Sequence, residues 1–420
     1  MKRTPVVLCV LLILMAIILC GCAGSPAGSP GKESTTRLVS SFEGGYLYML
    51  SHTPVAQLNG SYMEMGRQYG GLLRNRIKKF LAEFEKTIIK HTGLSELSIE
   101  EKANKVFSAY PKRIKAIFEG MEETSGVPLK KLKQLDIALL LGCMSEQDST
   151  SCTAVAAWGY NTLGWYLNFG RNLDLPGCFA KCNDALALIV YNPDDGSHSI
   201  ATIVYAGQVS SMQVFNDAGI VVEANSTVIP NDNIELNGGT FLENDMLMWL
   251  LECGDLDVLT SLVCKARLFG PVILTIADKT GAISIERTAG DSRKVPPTRE
   301  CYVVAVDNFV DPTWGSSAPL GPHMTSPDTG EQASLVQDSE QRYRNMFALS
   351  EKYKHKWDLS TMARALDTPV KRGGAFKPTT TIQFVYVPIS HTFILKAPGC
   401  QNIWIDIYLT RLLKGINKRK

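Results

Sequence analysis

The hydrophobic period of this chain switches at Cys152, and that switch limits what the chain can become. Between positions 61 and 146 apolar residues recur at three- and four-residue steps: Met65, Tyr69, Leu72, Leu73, Ile77, Phe80, Leu81, Phe84 and Ile88 lie among Arg and Lys. Such spacing draws one apolar stripe along a helix. Pro111 suits the first turn of another helix over 112–124, Gly126 stops it, and 129–144 repeats the amphipathic pattern. From Cys152 onward the runs become short and rich in β-branched and aromatic residues. Positions 153–158 and 165–169 read as two strands around the turn-forming stretch Gly159-Tyr-Asn-Thr-Leu-Gly164. Further strands are expected at 185–191, 199–205, 212–215, 220–223, 272–277, 282–286, 302–306, 381–387 and 392–396. Helices are expected at 241–252, 256–269 and 334–354, with 312–332 a loop. The order of elements reads as α+β with a mainly antiparallel sheet and no internal repeat.

The first residues carry an address. Met1-Lys2-Arg3 is followed by an almost unbroken apolar run from Val6 to Leu19, then Leu19-Cys20-Gly21-Cys22 and the Gly/Ser/Pro-rich stretch 23–31. A short apolar core ending in small residues reads as an export signal, the competing reading being an uncleaved anchor helix. The tetrapeptide resembles the lipobox of bacterial lipoproteins. That resemblance implies removal of 1–21, a lipid on Cys22, and a membrane contact through the lipid only, in the cell envelope outside the cytoplasm. Residues 22–50 would then be a tethering linker, 51–151 a helical α-chain or propeptide, and 152–420 the catalytic part.

Basic and acidic residues nearly balance, 43 against 41, and no basic stripe stands out, so nucleic acid is not an expected partner. Lys418 to Lys420 reads as a solvated tail. Of the eleven cysteines, Cys9, Cys20 and Cys22 belong to the export segment, and Cys178 and Cys182 could close a small loop by a disulfide. Cys143, Cys253, Cys264, Cys301 and Cys400 read mostly as buried small hydrophobes. No CxxC pair, HExxH or His/Cys cluster at zinc spacing occurs, so neither a metal nor another cofactor is expected.

Chemistry concentrates at Cys152. If the turn centres near Thr162, hairpin pairing sets position 152 opposite 172, give or take about two positions. Arg171 and Asp174 then share the strand end that carries the thiol. A guanidinium lowers a thiol's pKa and a carboxylate can orient the group that takes its proton. No histidine stands near in sequence to be that group. An N-terminal cysteine supplies its own base, because a free α-amine titrates near neutrality. For this the Ser151–Cys152 bond must break.

Cys152-Thr-Ala-Val, a hairpin, then Gly170-Arg-Asn-Leu-Asp174 resembles the N-terminal-nucleophile (Ntn) hydrolases of the isopenicillin-N acyltransferase type, which include choloylglycine hydrolases, penicillin V acylases and acid ceramidase-like amidases. Asn59-Gly60-Ser-Tyr-Met-Glu64-Met-Gly66-Arg-Gln-Tyr-Gly70 is similar to the start of that group's propeptide. The segment from Phe215 to Asn225, the strand end Val306-Asp-Asn308, and Ser339-Glu-Gln-Arg342-Tyr-Arg344 resemble later family elements. The resemblance implies an αββα sandwich of two antiparallel sheets between helical layers. It makes Cys152 the attacking group in self-cleavage and the catalytic nucleophile, with Arg171 and Asp174 orienting it. Asn225 and Asn308 would donate to the oxyanion, and Arg342 would hold charge at the site, with Arg344 the other candidate for that place. Glu223 and Glu64 read as structural, and Arg372-Gly-Gly374 as a loop.

The expected product is a self-cleaved amidase whose α- and β-chains stay together and which opens a small-molecule linear amide through a thioester. An N-acyl amino acid, an N-acylated amine or a penicillin-type side chain would suit. The alternatives are an acyltransferase using an amine acceptor, and a catalytically silent binding lipoprotein that kept the fold. A papain-like protease would need a partner histidine, and His198, His323 and His391 have no supporting context.

Overall fold

The hairpin expected after Ser151 forms two interior strands of the smaller of two β-sheets. A computed structural model describes residues 36–142, 151–226, 242–268, 271–288, 290–317 and 330–414. The export segment with Cys22, the residues just before Ser151, Cys143 and His323 fall outside the described residues.

The strands are β1 Thr36–Phe42, β2 Gly45–Leu50, β3 Thr53–Gly60, β4 Ser151–Ala157, β5 Asn168–Asp174, β6 Leu186–Pro193, β7 Ile200–Tyr205 and β8 Gln213–Asn216. They continue with β9 Val221–Ser226, β10 Val272–Ala277, β11 Ala282–Arg287, β12 Ser292–Val295, β13 Tyr302–Ala305, β14 Thr380–Val387, β15 Thr392–Ala397 and β16 Gln401–Tyr408. The described α-helices of eight residues or more are α1 Tyr62–Glu83, α2 Glu96–Ser108, α3 Lys112–Ser125, α4 Leu129–Asp136, α5 Leu242–Glu252, α6 Leu256–Lys265, α7 Gly330–Lys352 and α8 Leu359–Asp367.

One sheet has ten strands in the order β1-β2-β3-β6-β7-β8-β9-β10-β11-β12, the other six in the order β13-β4-β5-β14-β15-β16. Every pairing is antiparallel except β3 with β6. The sheets face each other across an aromatic seam in which Phe215 of β8 meets Phe384, Tyr386 and Phe393 of β14 and β15 at ring distances of 5.0–5.1 Å. Along β4 the faces alternate, as the pleat requires. Cys152, Ala154 and Ala156 point into the seam, while Val155 and Ala157 pack outward with Met346, Trp357 and Met362 of the α7–α8 layer. On the far side α1 and α5 cover the larger sheet at β3 and β8. The layers are therefore α, β, β, α.

The α1 motif has a physical account. Ser61 and Glu64 close a capping box: Glu64 N donates to Ser61 Oγ and Ser61 N to the Glu64 carboxylate, at 3.3 and 2.8 Å. Gly66 and Gly120 let α1 and α3 touch backbone to backbone; a Cβ on Gly66 would strike the Ile117 carbonyl and one on Gly120 that of Met63. Met65, Tyr69, Ile77 and Phe80 fill the buried stripe, each worth about 1.5–3 kcal/mol.

Several expectations need correcting. Strand structure begins at Thr36, inside the stretch to residue 50 expected to be linker, and β3 precedes the helical region. The strand expected at 165–169 runs from Asn168 to Asp174, because the polar residues that hid it are buried site residues. The expected 129–144 helix breaks at Ile137 (φ −89°, ψ 11°), where Asp136 turns aside to accept the Val209 and Ser210 backbone N–H groups. The helix expected to reach 269 ends at Lys265, and α8, β12 and β16 were not expected, although α8 carries an apolar stripe at Leu359, Met362, Ala363 and Leu366.

Candidate active site

The register of the β4–β5 hairpin sets Ser151 opposite Asp174, Cys152 opposite Leu173 and Ala154 opposite Arg171, one position from the sequence expectation. Directly opposed residues share a face. Arg171 therefore lies on the seam side with the thiol, and Asp174 on the α7 side with Ser151.

On the seam side, Cys152 is fully buried and Arg171 Nη2 stands 3.4 Å from its Sγ. The guanidinium also ties the two sheets together. It donates to the carbonyl oxygens of Met212 and Ala224 and to Gln213 Oε1, and lies 3.3 Å from the Glu223 carboxylate. Burial pushes the Cys152 thiol up to about 12, with the Arg171 charge pulling the other way. Burial likewise pushes Glu223 up to about 7, against the pull of Arg171. Glu223, read from sequence as structural, is thus a carboxyl neighbour of the arginine at the thiol.

A second cluster, which α7 helps to build, surrounds the backbone of the same residue. β13 pairs with β4 through Ala305 opposite Ala154, and continuing that register brings Asp307 level with Cys152. The Cys152 N–H donates to Asp307 Oδ1 at 2.8 Å. Arg342, fully buried, donates to the Cys152 carbonyl, to Thr153 Oγ1 at 2.8 Å and to Asp307 Oδ2 at 2.6 Å, with its Nε 3.0 Å from Asp338. Lys377 joins Asp338 to Ser151 Oγ, both at 2.9 Å. Asp174 accepts from Ser151 Oγ at 3.1 Å and Thr380 Oγ1 at 2.6 Å. Burial raises Asp174 to about 6 in spite of Arg342 and Lys377, and raises Asp307 as well. In Asp338 burial acts the same way, but the two cations prevail and hold it below its ordinary value.

The sequence candidates are thus brought to one strand end, though not in equal roles. Arg342 enters the cluster, whereas Arg344 is exposed and pairs with Glu340 at 3.3 Å. Asn225 is buried at the end of β9 and donates to the Val306 carbonyl at 3.2 Å, while its Oδ1 has no partner. Asn308 Oδ1 accepts from Ser339 Oγ at 2.6 Å. The carboxylate of Asp174 reaches Ser151, not the thiol.

Sequence reasoning missed Asp307, Asp338 and Lys377. Asp338 was legible as the i,i+4 partner of Arg342, and Asp307 as the neighbour of Asn308; Lys377 gave no signal. The loop carrying Asp307 and Asn308 is itself anchored. Glu286 accepts from the Val310 and Asp311 N–H groups and from Trp314 Nε1 at 2.7 Å.

Among the described residues no histidine is hydrogen-bonded to this cluster. His198 pairs with Asp217 at 2.5 Å and His391 with the Tyr386 hydroxyl at 3.0 Å, so neither supplies the partner a papain-like site needs. Cys178 and Cys182 are not joined to each other by a disulfide. Among the described residues no group of His, Cys, Asp and Glu could hold a metal, and no helix is long and apolar enough to cross a membrane.

No protein-family model and no curated protein matches the chain. Solved structures do align with it. An N-acylethanolamine-hydrolyzing acid amidase ortholog of Caenorhabditis elegans aligns at 15% identity over 56% of this chain and 93% of its own, with a TM-score of 0.40. A variant of conjugated bile acid hydrolase from Clostridium perfringens aligns at 13% over 62% and 93%, with 0.41. Penicillin V acylase from Agrobacterium tumefaciens aligns at 14% over 63% and 89%, with 0.40. At these values the likeness carries no argument about chemistry, which rests on the groups around Cys152.

Proposed function

We propose that the chain is a precursor that cuts its own Ser151–Cys152 bond and then hydrolyses a linear small-molecule amide through a thioester on Cys152. One observation carries this: the sulfur of Cys152 lies against Arg171 while its backbone nitrogen is held by Asp307 at 2.8 Å. Both atoms of the residue that self-cleavage would use are separately positioned.

In self-cleavage the thiol sulfur adds to the Ser151 carbonyl carbon, the C–N bond breaks, and the thiol proton ends on the nitrogen. A thioester and a free α-amine result. Water then hydrolyses the thioester, releasing the Ser151 carboxylate and restoring the thiol. In the cut enzyme the new amine takes the thiol proton, its ammonium form being stabilised by the Asp307 carboxylate, while Arg171 stabilises the thiolate. The sulfur attacks the substrate carbonyl, the departing amine carries the proton away, and water frees the acyl group as its acid. Asn225 and Asn308 are the proposed donors to the oxyanion. The α-chain stays bound to the β-chain. The export reading of the N-terminus puts the reaction on a lipid-anchored protein outside the cytoplasm.

A denaturing gel tests the proposal. Purified wild-type protein should run as two unequal bands and Cys152→Ala as one. A single uncut wild-type band rules the proposal out.

A further inference from the structure

The two sheets do not close on each other everywhere. They leave a cavity of about 700 Å³, within the size range of small-molecule sites. Leu186, Ala187 and Ile203 from the larger sheet and Ile382, Leu395 and Ala397 from the smaller give it apolar walls. It shares the seam with the nucleophile, although Cys152 itself does not line it. Cys152 is opposite Leu173, and Leu173 is opposite Ile382, all on one face. Two strand spacings put Ile382 about 10 Å from Cys152.

The mouth is cationic. Arg37, His52, Arg76 and Lys79 line it, against one carboxylate, Asp184. Lys79 takes that carboxylate at 2.5 Å. Arg76, whose charge burial disfavours, donates to the Asp184 backbone carbonyl, and Arg37 pairs with no carboxylate among the described residues. Two of the three permanent cations therefore lack a carboxylate of their own at the edge of an apolar space, which makes an anion the favourable occupant.

We propose that this cavity receives the part of the substrate remote from the scissile bond, and that this part is an apolar chain ending in a carboxylate or phosphate. The proposal rests on the amide-hydrolase reading for its place in the reaction, and on the cavity alone for binding. An acyl group reaching from Cys152 past Ile382 to the mouth spans about 10 Å or more, so the anionic group stands at the far end of the chain and not beside the amide.

Calorimetry on the uncut Cys152→Ala chain tests this without any chemistry at the nucleophile. Decanoate and decyl phosphate are titrated separately to tell the two anions apart, with decanol as the neutral control. At least one anion should bind tenfold or more tightly than decanol. Arg76→Ala combined with Lys79→Ala should abolish that preference, and Arg37→Glu, on an exposed strand, should weaken it severalfold. Failure of both anions to bind, or a preference unchanged in the variants, overturns the proposal. If that happens while the wild type still cuts itself, the cavity falls and the nucleophile stands.

Discussion

Asp307 holds the backbone nitrogen of Cys152 at 2.8 Å, and Arg342 holds the other oxygen of the same carboxylate at 2.6 Å. The nitrogen that self-cleavage would turn into an amine is thus gripped before the bond breaks. Asp307→Asn keeps the shape and removes the charge. Self-cleavage should slow by about 100-fold or more, within the usual range for a lost proton-handling group. Densitometry of precursor and product over time measures it, and an unchanged rate would leave Asp307 only a structural part.

Two arginines two positions apart should behave very differently. Arg342 is buried among Asp307, Asp338 and the Cys152 carbonyl; Arg344 is exposed. In the uncleavable Cys152→Ala background, Arg342→Met strands buried carboxylates and should cost about 3–5 kcal/mol. Arg344→Met should stay within about 0.5 kcal/mol. Urea unfolding separates the two.

Stability should fall as pH rises through the weakly acidic range. Glu223 is raised to about 7 and Asp174 to about 6, each above its ordinary value. Between the unfolded and folded pKa the native state holds the extra proton, so stability is highest below the unfolded value and is lost as pH climbs through the folded one. Cys152→Ala protein should unfold at lower urea at pH 8 than at pH 5. Adding Glu223→Gln should shrink that difference, leaving the part due to Asp174, Asp307 and other raised carboxyls. An identical difference in both proteins contradicts the assignment.

The cut chains should remain joined through Asp136. Its carboxylate lies before the cleavage site, yet accepts from Val209 N, Ser210 N and Ser210 Oγ beyond it, at 2.7, 2.9 and 2.6 Å. Asp136→Ala leaves the two buried backbone N–H groups unpaired, at about 1–3 kcal/mol each. The α-chain should then separate on size exclusion at a urea concentration that leaves the wild-type pair intact.

How much of this could be read in advance follows from what each element shows to the sequence. α1 and α3 have a regular apolar stripe on a solvated helix, and the pattern is unambiguous. The hairpin was legible because Gly159 and Gly164 punctuate it, and its register followed by counting. Strand β5 was misplaced because Arg171, Asn172 and Asp174 are polar yet buried, which inverts the signal on which strand reading relies. Strand β1 is an edge strand exposed along most of its length, with little apolar pattern, whereas β16 alternates Ile403, Ile405 and Ile407 and was legible though unread. Asp307 and Lys377 reach Cys152 from distant parts of the chain, and contacts of that kind leave no period to read.

Mass spectrometry of the molecule that turns over an amide tests the central claim most directly. After a brief reaction with a slowly deacylating substrate, the acyl group should sit on a fragment whose first residue is Cys152 with an unblocked α-amine. An acylated chain still continuous through Ser151 would contradict the account, because the thiol would then have reacted without the base assigned to it.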